Sequence, residues 1–369
     1  MRANSFHLAM MPGEGIGLEV MQAATLVLDA VEQRFGLSFR QEEIPGGAHH
    51  YRDTGKILPD GGLERAGKAD AILFGAMGWP DIRFADGTEI APQLDIRMTY
   101  GLFAGVRPIR AIPGIPAVLA SPRANEIDLV IVRESTEGMF ASRGKGVVID
   151  DREASDTQVI TRATTEKLTD FCCRLARRRR ERRGTPGRVT LVDKANVFRS
   201  FAFMRQVFYE AAAKHPDVEA AHHYVDAMAL DLVRRPWDFD VLPMENLFGD
   251  ILSDLGAGLI GGMGYAPSAD IGDGHGMFQP SHGTAPDIAG KGIANPTAMI
   301  LSAAMMLDWL GETRSSEAAG DAARAVENAV DHVFGTMGLR AYDAGGHNGT
   351  TEIGTTVADL VRSGQADPR

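Results

Sequence analysis

Two aspartates four residues apart, Asp250 and Asp254 in NLFGDILSD, are the sharpest chemical signal in this sequence. On a helix that spacing puts both carboxylates on one face. A solvated acidic face shows the same spacing, but here the pair sits among Leu247, Phe248, Ile251, Leu252 and Leu255, which favours a divalent-cation site. Asp226, in the apolar-flanked YVDAMAL, is available as a third ligand. An all-oxygen set suits Mg²⁺ or Mn²⁺ rather than zinc.

Lys194 lies in VTLVDKANVF between Asp193 and Asn196. At a buried strand end, desolvation and a nearby cation lower a lysine's proton affinity and make it a proton acceptor near neutrality; by position alone it is equally a surface lysine. Arg97, Arg107 and Arg133 each border an apolar element, where a guanidinium fork suits a bidentate carboxylate and also suits an ordinary ion pair. The segment SHGTAPDIAGKGIANP places His282, Asp287 and Asn295 in a loop rich in glycine that can wrap a flat polar ligand, or simply connect two elements.

These residues need a scaffold, and the apolar pattern supplies one. Phe6 to Met11 is a short apolar run followed by the turn GEGIG and a helical pattern through Val20, Leu26, Leu28 and Val31. Strand-like runs recur at 69–74, 128–132, 188–192 and 239–242. Strands alternating with helices predict an α/β fold. The GEGIG turn lacks the GxGxxG spacing and the acidic residue about 20 positions on that a Rossmann unit requires. A helix over 161–183 ends in Arg177–Arg180 and Arg182–Arg183 before a Gly184–Gly187 break, and cations there complement the helix dipole and solvate its outer face.

With 369 residues, two domains are expected. A composition of 44% hydrophobic and 24% charged residues is that of a globular chain, and the net charge of −11 disfavours nucleic acid and anionic membranes as partners. An anionic substrate must therefore meet a local cluster of arginines. Adjacent Cys172 and Cys173 in a helical stretch cannot bridge without strain, which predicts free thiols and a cytoplasmic setting, with neither a secretory leader nor a membrane span.

Taken in order, GEGIG, the element from Arg97 through Arg107-Pro108, VRESTEG, VDKAN, YVDAM, NLFGDILSD and HGTAPDIAGKGIANP resemble the β-decarboxylating dehydrogenases, the family of isopropylmalate, isocitrate, homoisocitrate, tartrate and D-malate dehydrogenases. The resemblance implies an isopropylmalate/isocitrate dehydrogenase-like fold: two α/β domains sharing a continuous central sheet, the first from residues 1–103 and 261–369, the second, carrying the dimer interface, from 104–260. It implies oxidation of a 2-hydroxy diacid by hydride transfer to NAD, usually with loss of carbon dioxide. Arg97, Arg107 and Arg133 match the substrate clamp, and Asp226, Asp250 and Asp254 the ligands of Mg²⁺ or Mn²⁺. Lys194 and Asp226 match the catalytic pair that reaches the site from a partner subunit, which implies a homodimer with shared sites. His282, Gly283, Ala285 and Asn295 match the adenosine site, and Asn196 the nicotinamide side. Asp287, followed by Ile288, matches the position that selects the dinucleotide, where a carboxylate repels a 2′-phosphate and favours NAD.

Two positions depart from the family. Phe140 stands where a tyrosine usually protonates the product carbon, and the substrate loop Thr88–Leu94 has neither a serine at position 91 nor a leucine cluster. RPIRAIPGIPAVLA and RESTEG look nearer the tartrate and D-malate branch, so a tartrate- or D-malate-like activity leads, with 3-isopropylmalate dehydrogenase of leucine biosynthesis as the alternative. A non-catalytic regulatory subunit is the rival of another class.

Overall fold

A computed structural model describes residues 4–183 and 187–367, which form two compact units. Unit 1 comprises residues up to Tyr100, Ile112–Val118, and the chain from Ile260 onward; unit 2 comprises Gly101–Ala111 and Leu119–Leu259. The short stretch Ile112–Val118, inside the span expected for the second domain, thus belongs to the first. Most of the Gly184–Gly187 break lies outside the described residues.

Unit 1 opens with β1 (Ser5–Gly13), α1 (Ile16–Phe35), β2 (Ser38–Glu43), α2 (Ala48–Thr54), α3 (Gly62–Lys68), β3 (Ala71–Ala76) and α4 (Pro92–Tyr100). In unit 2 follow β4 (Ala104–Arg110), β5 (Asp128–Glu134), a hairpin of β6 (Val147–Ile149) and β7 (Glu153–Ser155), then α5 (Arg162–Arg183), β8 (Arg188–Asp193), α6 (Arg199–Ala212), β9 (Glu219–Tyr224), α7 (Val225–Arg234), β10 (Val241–Met244) and α8 (Asn246–Leu259). The chain returns to unit 1 with β11 (Pro267–Ile271), β12 (Gly276–Pro280), α9 (Thr297–Arg314), α10 (Glu317–Gly335) and α11 (Thr350–Ser363).

Each unit carries five strands of mostly parallel sheet, in the order β2-β1-β3-β12-β11 in unit 1 and β4-β5-β10-β8-β9 in unit 2. In unit 1, β1 is parallel to β2 and β3, β12 is parallel to β3, and β11 is antiparallel to β12, so this is not the all-parallel Rossmann arrangement. In unit 2, β10 is parallel to β5 and β8, β8 to β9, and β4 runs antiparallel to β5. Central strands read as unbroken apolar runs because both faces are covered: every residue of β3 and β10 is buried. Phe74, Leu73, Phe278 and Tyr265 form much of the unit 1 core; Val189, Phe208, Val241 and Leu242 do so in unit 2.

The arginines at the end of α5 are not simply a solvated face. Arg177 and Arg180 pair with Asp217, and Arg179 pairs with Asp128 and Asp240, so this basic run is largely neutralised within unit 2. Cys172 and Cys173 are free and buried; burial raises both thiols, Cys173 to about 11, which makes them inert packing groups. Among the described residues no helix is long and apolar enough to cross a membrane.

Candidate active site

In unit 2 the candidate residues fall into two groups, one at the end of β5 and the first turns of α8, the other just beyond the ends of β8 and β9. Arg133, the last residue but one of β5, is only 5% exposed and lies against α8 because Gly249 has no side chain: a Cβ there would stand 2.5 Å from the Arg133 Cβ. The guanidinium is then fixed on three sides. Its Nε donates to Asn246 Oδ1 at 2.9 Å, Nη1 donates to Asp250, and its plane lies 5.0 Å from the Phe140 ring centre. Asn246 is fully buried, and its amide donates to the Glu137 carbonyl at 3.1 Å, tying the start of α8 to the loop after β5.

Asp254 follows Asp250 by one helical turn. Burial, and then the neighbouring Asp250 carboxylate, pushes its pKa up, while Arg107 and Arg133 pull it down. Two carboxylates and two guanidiniums therefore share one cluster in unit 2. Arg107 is also buried, on β4, with one guanidinium nitrogen 3.3 Å from the Val106 carbonyl oxygen. The third expected ligand lies elsewhere in this chain. Asp226, in the first turn of α7, accepts a hydrogen bond from Lys194 at 2.5 Å, and Lys194 follows β8 directly. The Lys194 ammonium favours the charged Asp226 carboxylate and lowers its pKa. Among the described residues of one chain, no group of three histidine, cysteine or acidic side chains is assembled for a metal. Asn196, two residues past Lys194, is exposed in the turn before α6.

Two acidic groups escaped the sequence reading. Glu134, next to Arg133, is 4% exposed, and burial raises its pKa to about 7 against the pull of hydrogen bonds from Thr136 and the Glu137 N–H. Glu245 accepts from the N–H groups of Leu247 and Phe248 and so caps α8; burial raises its pKa as well, and one of its oxygens has no partner. Their place in VRESTEG and beside NLFGDILSD was the available signal.

In unit 1, Arg97 is buried on α4 and paired at 3.0 Å with Asp270 of β11, which also accepts from Gln279 at 2.8 Å. The Arg97 Nε is buried without a partner, a free donor on an otherwise fixed guanidinium. The GEGIG turn is tight for reasons internal to the unit. Gly13 and Gly15 both have positive φ, and a Cβ on either would stand about 2 Å from the carbonyl oxygen of Ala76 or Thr284. Glu14, buried inside the turn, accepts from the N–H of His49 and, at 3.1 Å, from that of Gly78. The close approach is therefore to the chain itself.

The loop after β12 presents Gly283 and Asp287 to solvent, with Ala285 at φ +39°. His282 holds its Nδ1 against the Gly283 carbonyl oxygen at 3.0 Å, while its Nε2 is enclosed and unpartnered, and burial lowers its pKa. An orphaned ring nitrogen beside open loop backbone is a fit for a heteroaromatic ligand. Asn295 is different: its amide nitrogen reaches both Asp343 oxygens at 3.2 Å, and its oxygen accepts from Thr297, so its side chain is committed within unit 1.

A family profile described as isocitrate/isopropylmalate dehydrogenase matches residues 7–357. The chain is 41% identical to a 3-isopropylmalate/3-methylmalate dehydrogenase of Methanocaldococcus jannaschii, over 96% of this chain and 98% of that protein. It is 38% identical to the 3-isopropylmalate dehydrogenase of Escherichia coli K12, over 98% and 99%. Among solved structures, an isocitrate dehydrogenase from Methylococcus capsulatus aligns with a TM-score of 0.84 at 34% identity, covering 96% of this chain and 99% of that one. A β-decarboxylating dehydrogenase from Thermococcus kodakarensis aligns with 0.77 at 35% identity, covering 97% and 96%.

Proposed function

The chain belongs to the isocitrate/isopropylmalate dehydrogenase family, and from that premise we propose that it oxidises a 3-alkylmalate with NAD and a divalent cation, with decarboxylation of the product. The observation that carries the substrate is the full-length similarity to dehydrogenases of 3-isopropylmalate and 3-methylmalate. It displaces tartrate and D-malate as the leading substrates. In the substrate loop Ile90, Ala91 and Pro92 are buried, Gln93 and Leu94 are half-buried, and the polar Thr88 and Glu89 are exposed. That polar set also keeps tartrate and D-malate as the second reading. Relatives that are dehydrogenases stand against a non-catalytic subunit.

Asp250 and Asp254 fit a Mg²⁺ or Mn²⁺ ion as hard oxygen donors, completed by Asp226 of the partner subunit. A bound ion would supply positive charge to the substrate oxygens, and bound NAD the hydride acceptor. Arg97, Arg107 and Arg133 hold the substrate carboxylates, Lys194 accepts the hydroxyl proton, and Asp226 holds its ammonium form. Asp287 takes the ribose hydroxyls of NAD, His282 with Gly283 and Ala285 the adenine, and Asn196 the nicotinamide side; Asn295 shapes the adenosine loop through Asp343. We assign the dimer face to Leu230 and Val233 of α7, Leu247 and Ile251 of α8, and Val147–Ile149 of the hairpin, all exposed apolar side chains, as the second copy that delivers Lys194 and Asp226 must cover an apolar surface.

The test is turnover with 3-isopropylmalate, 3-methylmalate, D-malate, tartrate and isocitrate, followed by NADH absorbance and by carbon dioxide. The highest kcat/KM is expected for one of the 3-alkylmalates. A tenfold higher kcat/KM with D-malate or tartrate overturns the substrate class, and no NADH with any of them overturns the activity.

A further inference from the structure

We propose that Arg205 is the positioning residue for the Lys194–Asp226 pair, acting as one clamp across the ends of the two strands that carry it. The proposal rests on the reading of Lys194 as proton acceptor and adds the device that aims it. Lys194 and Asp226 are 32 residues apart in sequence, each just beyond a strand end, so a hydrogen bond at 2.5 Å between them requires both ends to be held in register. In the parallel β8–β9 ladder the last paired residues are Asp193 and Tyr224, directly opposite one another. Lys194 is the next residue after the first, and Asp226 lies two beyond the second.

Arg205 of α6 engages both. Its Nε donates to one Asp193 oxygen at 2.8 Å and its Nη2 to the other at 2.6 Å, a fork-to-fork pair with a carboxylate that is fully buried. The same guanidinium lies 5.1 Å from the Tyr224 ring centre. Asp193 in turn accepts from the Ala195 N–H at 2.9 Å, and the Lys194 carbonyl accepts from the N–H groups of Val197 and Phe198, which closes the turn around Lys194. One planar cation thus fixes the backbone on either side of the lysine and the cap residue of α7, whose first turn carries Asp226. Lysine at 205 cannot reproduce this, because a point charge cannot fork and cover a ring together.

The experiment uses the whole enzyme, four test variants and a fifth for spectral assignment. Asp193→Asn with Arg205→Gln removes both charges at once, so that no buried charge is stranded; Arg205→Lys keeps the cation; Tyr224→Leu removes only the covered ring; Val207→Ala, on the same helix and fully buried, is a packing control. In the double variant kcat is expected to fall at least tenfold with KM for substrate and NAD within twofold, in Arg205→Lys by less, and in Val207→Ala not at all. ¹³C-dimethylated lysine spectra give a readout free of turnover: the Lys194 resonance, assigned with Lys194→Arg, should move toward those of the exposed lysines in the double variant and stay put in Val207→Ala. A folded double variant with wild-type kcat and an unmoved Lys194 resonance overturns the proposal, as does equal loss in the packing control. If the double variant does not fold, Tyr224→Leu carries the test, with about a threefold fall in kcat and a smaller resonance shift expected, and wild-type values in both overturning it. A wild type without turnover whose Lys194 resonance still depends on Arg205 refutes the proposed activity and leaves the clamp standing.

Discussion

Replacing Asp250 by Asn separates what that carboxylate does for the fold from what it does for chemistry. Asp250 pairs with Arg133, but its side chain is half exposed, 51%, whereas the guanidinium is 6% exposed. Half the pair is therefore screened by water, and exposed pairs of this kind contribute about 0–1 kcal/mol. The amide keeps the shape and an oxygen acceptor for the Arg133 Nη1, and Arg133 keeps its bond to Asn246 and its seat on Phe140. The expected loss of stability is below about 1 kcal/mol, a shift of only a few degrees or less in Tm. The expected loss of activity is of another order. Removing one charge from an all-oxygen cation site should lower kcat/KM at least 100-fold, about 2.7 kcal/mol of transition-state stabilisation. The assay pairs thermal melting with steady-state NADH formation at increasing Mn²⁺. A variant that matches wild-type kcat/KM at the same Mn²⁺ concentration refutes the metal role, and a loss of Tm as large as the loss of activity implies would make Asp250 a structural residue.

Three further outcomes are expected. Phe140→Tyr restores a hydroxyl beside Arg133 and should raise carbon dioxide released per NADH formed, since a positioned acid is worth typically 10²- to 10⁴-fold in proton delivery; a wild-type ratio already at one would refute it. Asp287→Lys with Ile288→Tyr should shift preference toward NADP, and an unchanged ratio of the two kcat/KM values would place the choice elsewhere. Glu134, with a folded pKa raised from 4.5 to about 7 by burial, favours the folded state below pH 4.5 and loses that contribution as pH rises through 7. Glu134→Gln should therefore gain relative to wild type between pH 4.5 and 8, by up to about 3 kcal/mol, as read from denaturant midpoints; a pH-independent difference would show that the Glu134 carboxyl has the same pKa in the folded and unfolded states.

What the sequence made legible is what is local. The Asp250/Asp254 spacing is one helical turn, and the structure shows that turn. The apolar runs gave strands with shifted ends: β3 begins at Ala71 rather than at 69, because Asp70 turns to accept from the His7 N–H, and β10 begins at Val241 rather than at 239. What stayed hidden depends on distant chain. Asn246 meets Arg133 across 113 residues, and no local pattern marks it. Asp270, which neutralises Arg97, is one apolar-flanked aspartate among many in the sequence. GEGIG signalled a close approach correctly, but only packing shows that the approach is to Ala76 and Thr284. The helix-end arginines looked solvated because Asp128, Asp217 and Asp240 lie in separate elements.

The two glycine-bearing turns of unit 1 differ in how much change they tolerate, and this decides where variation can be introduced by design. Any side chain at Gly13 or Gly15 meets backbone oxygen and must break the turn, so a mutant library there returns unfolded protein and teaches nothing about ligands. Gly283 is the opposite case. A Cβ built on it meets nothing within 4 Å, and its backbone conformation is open to any residue. Diversity placed at Gly283 costs the scaffold little, so the proposed role of this loop in holding the cofactor can be probed at that one position without first stabilising the protein.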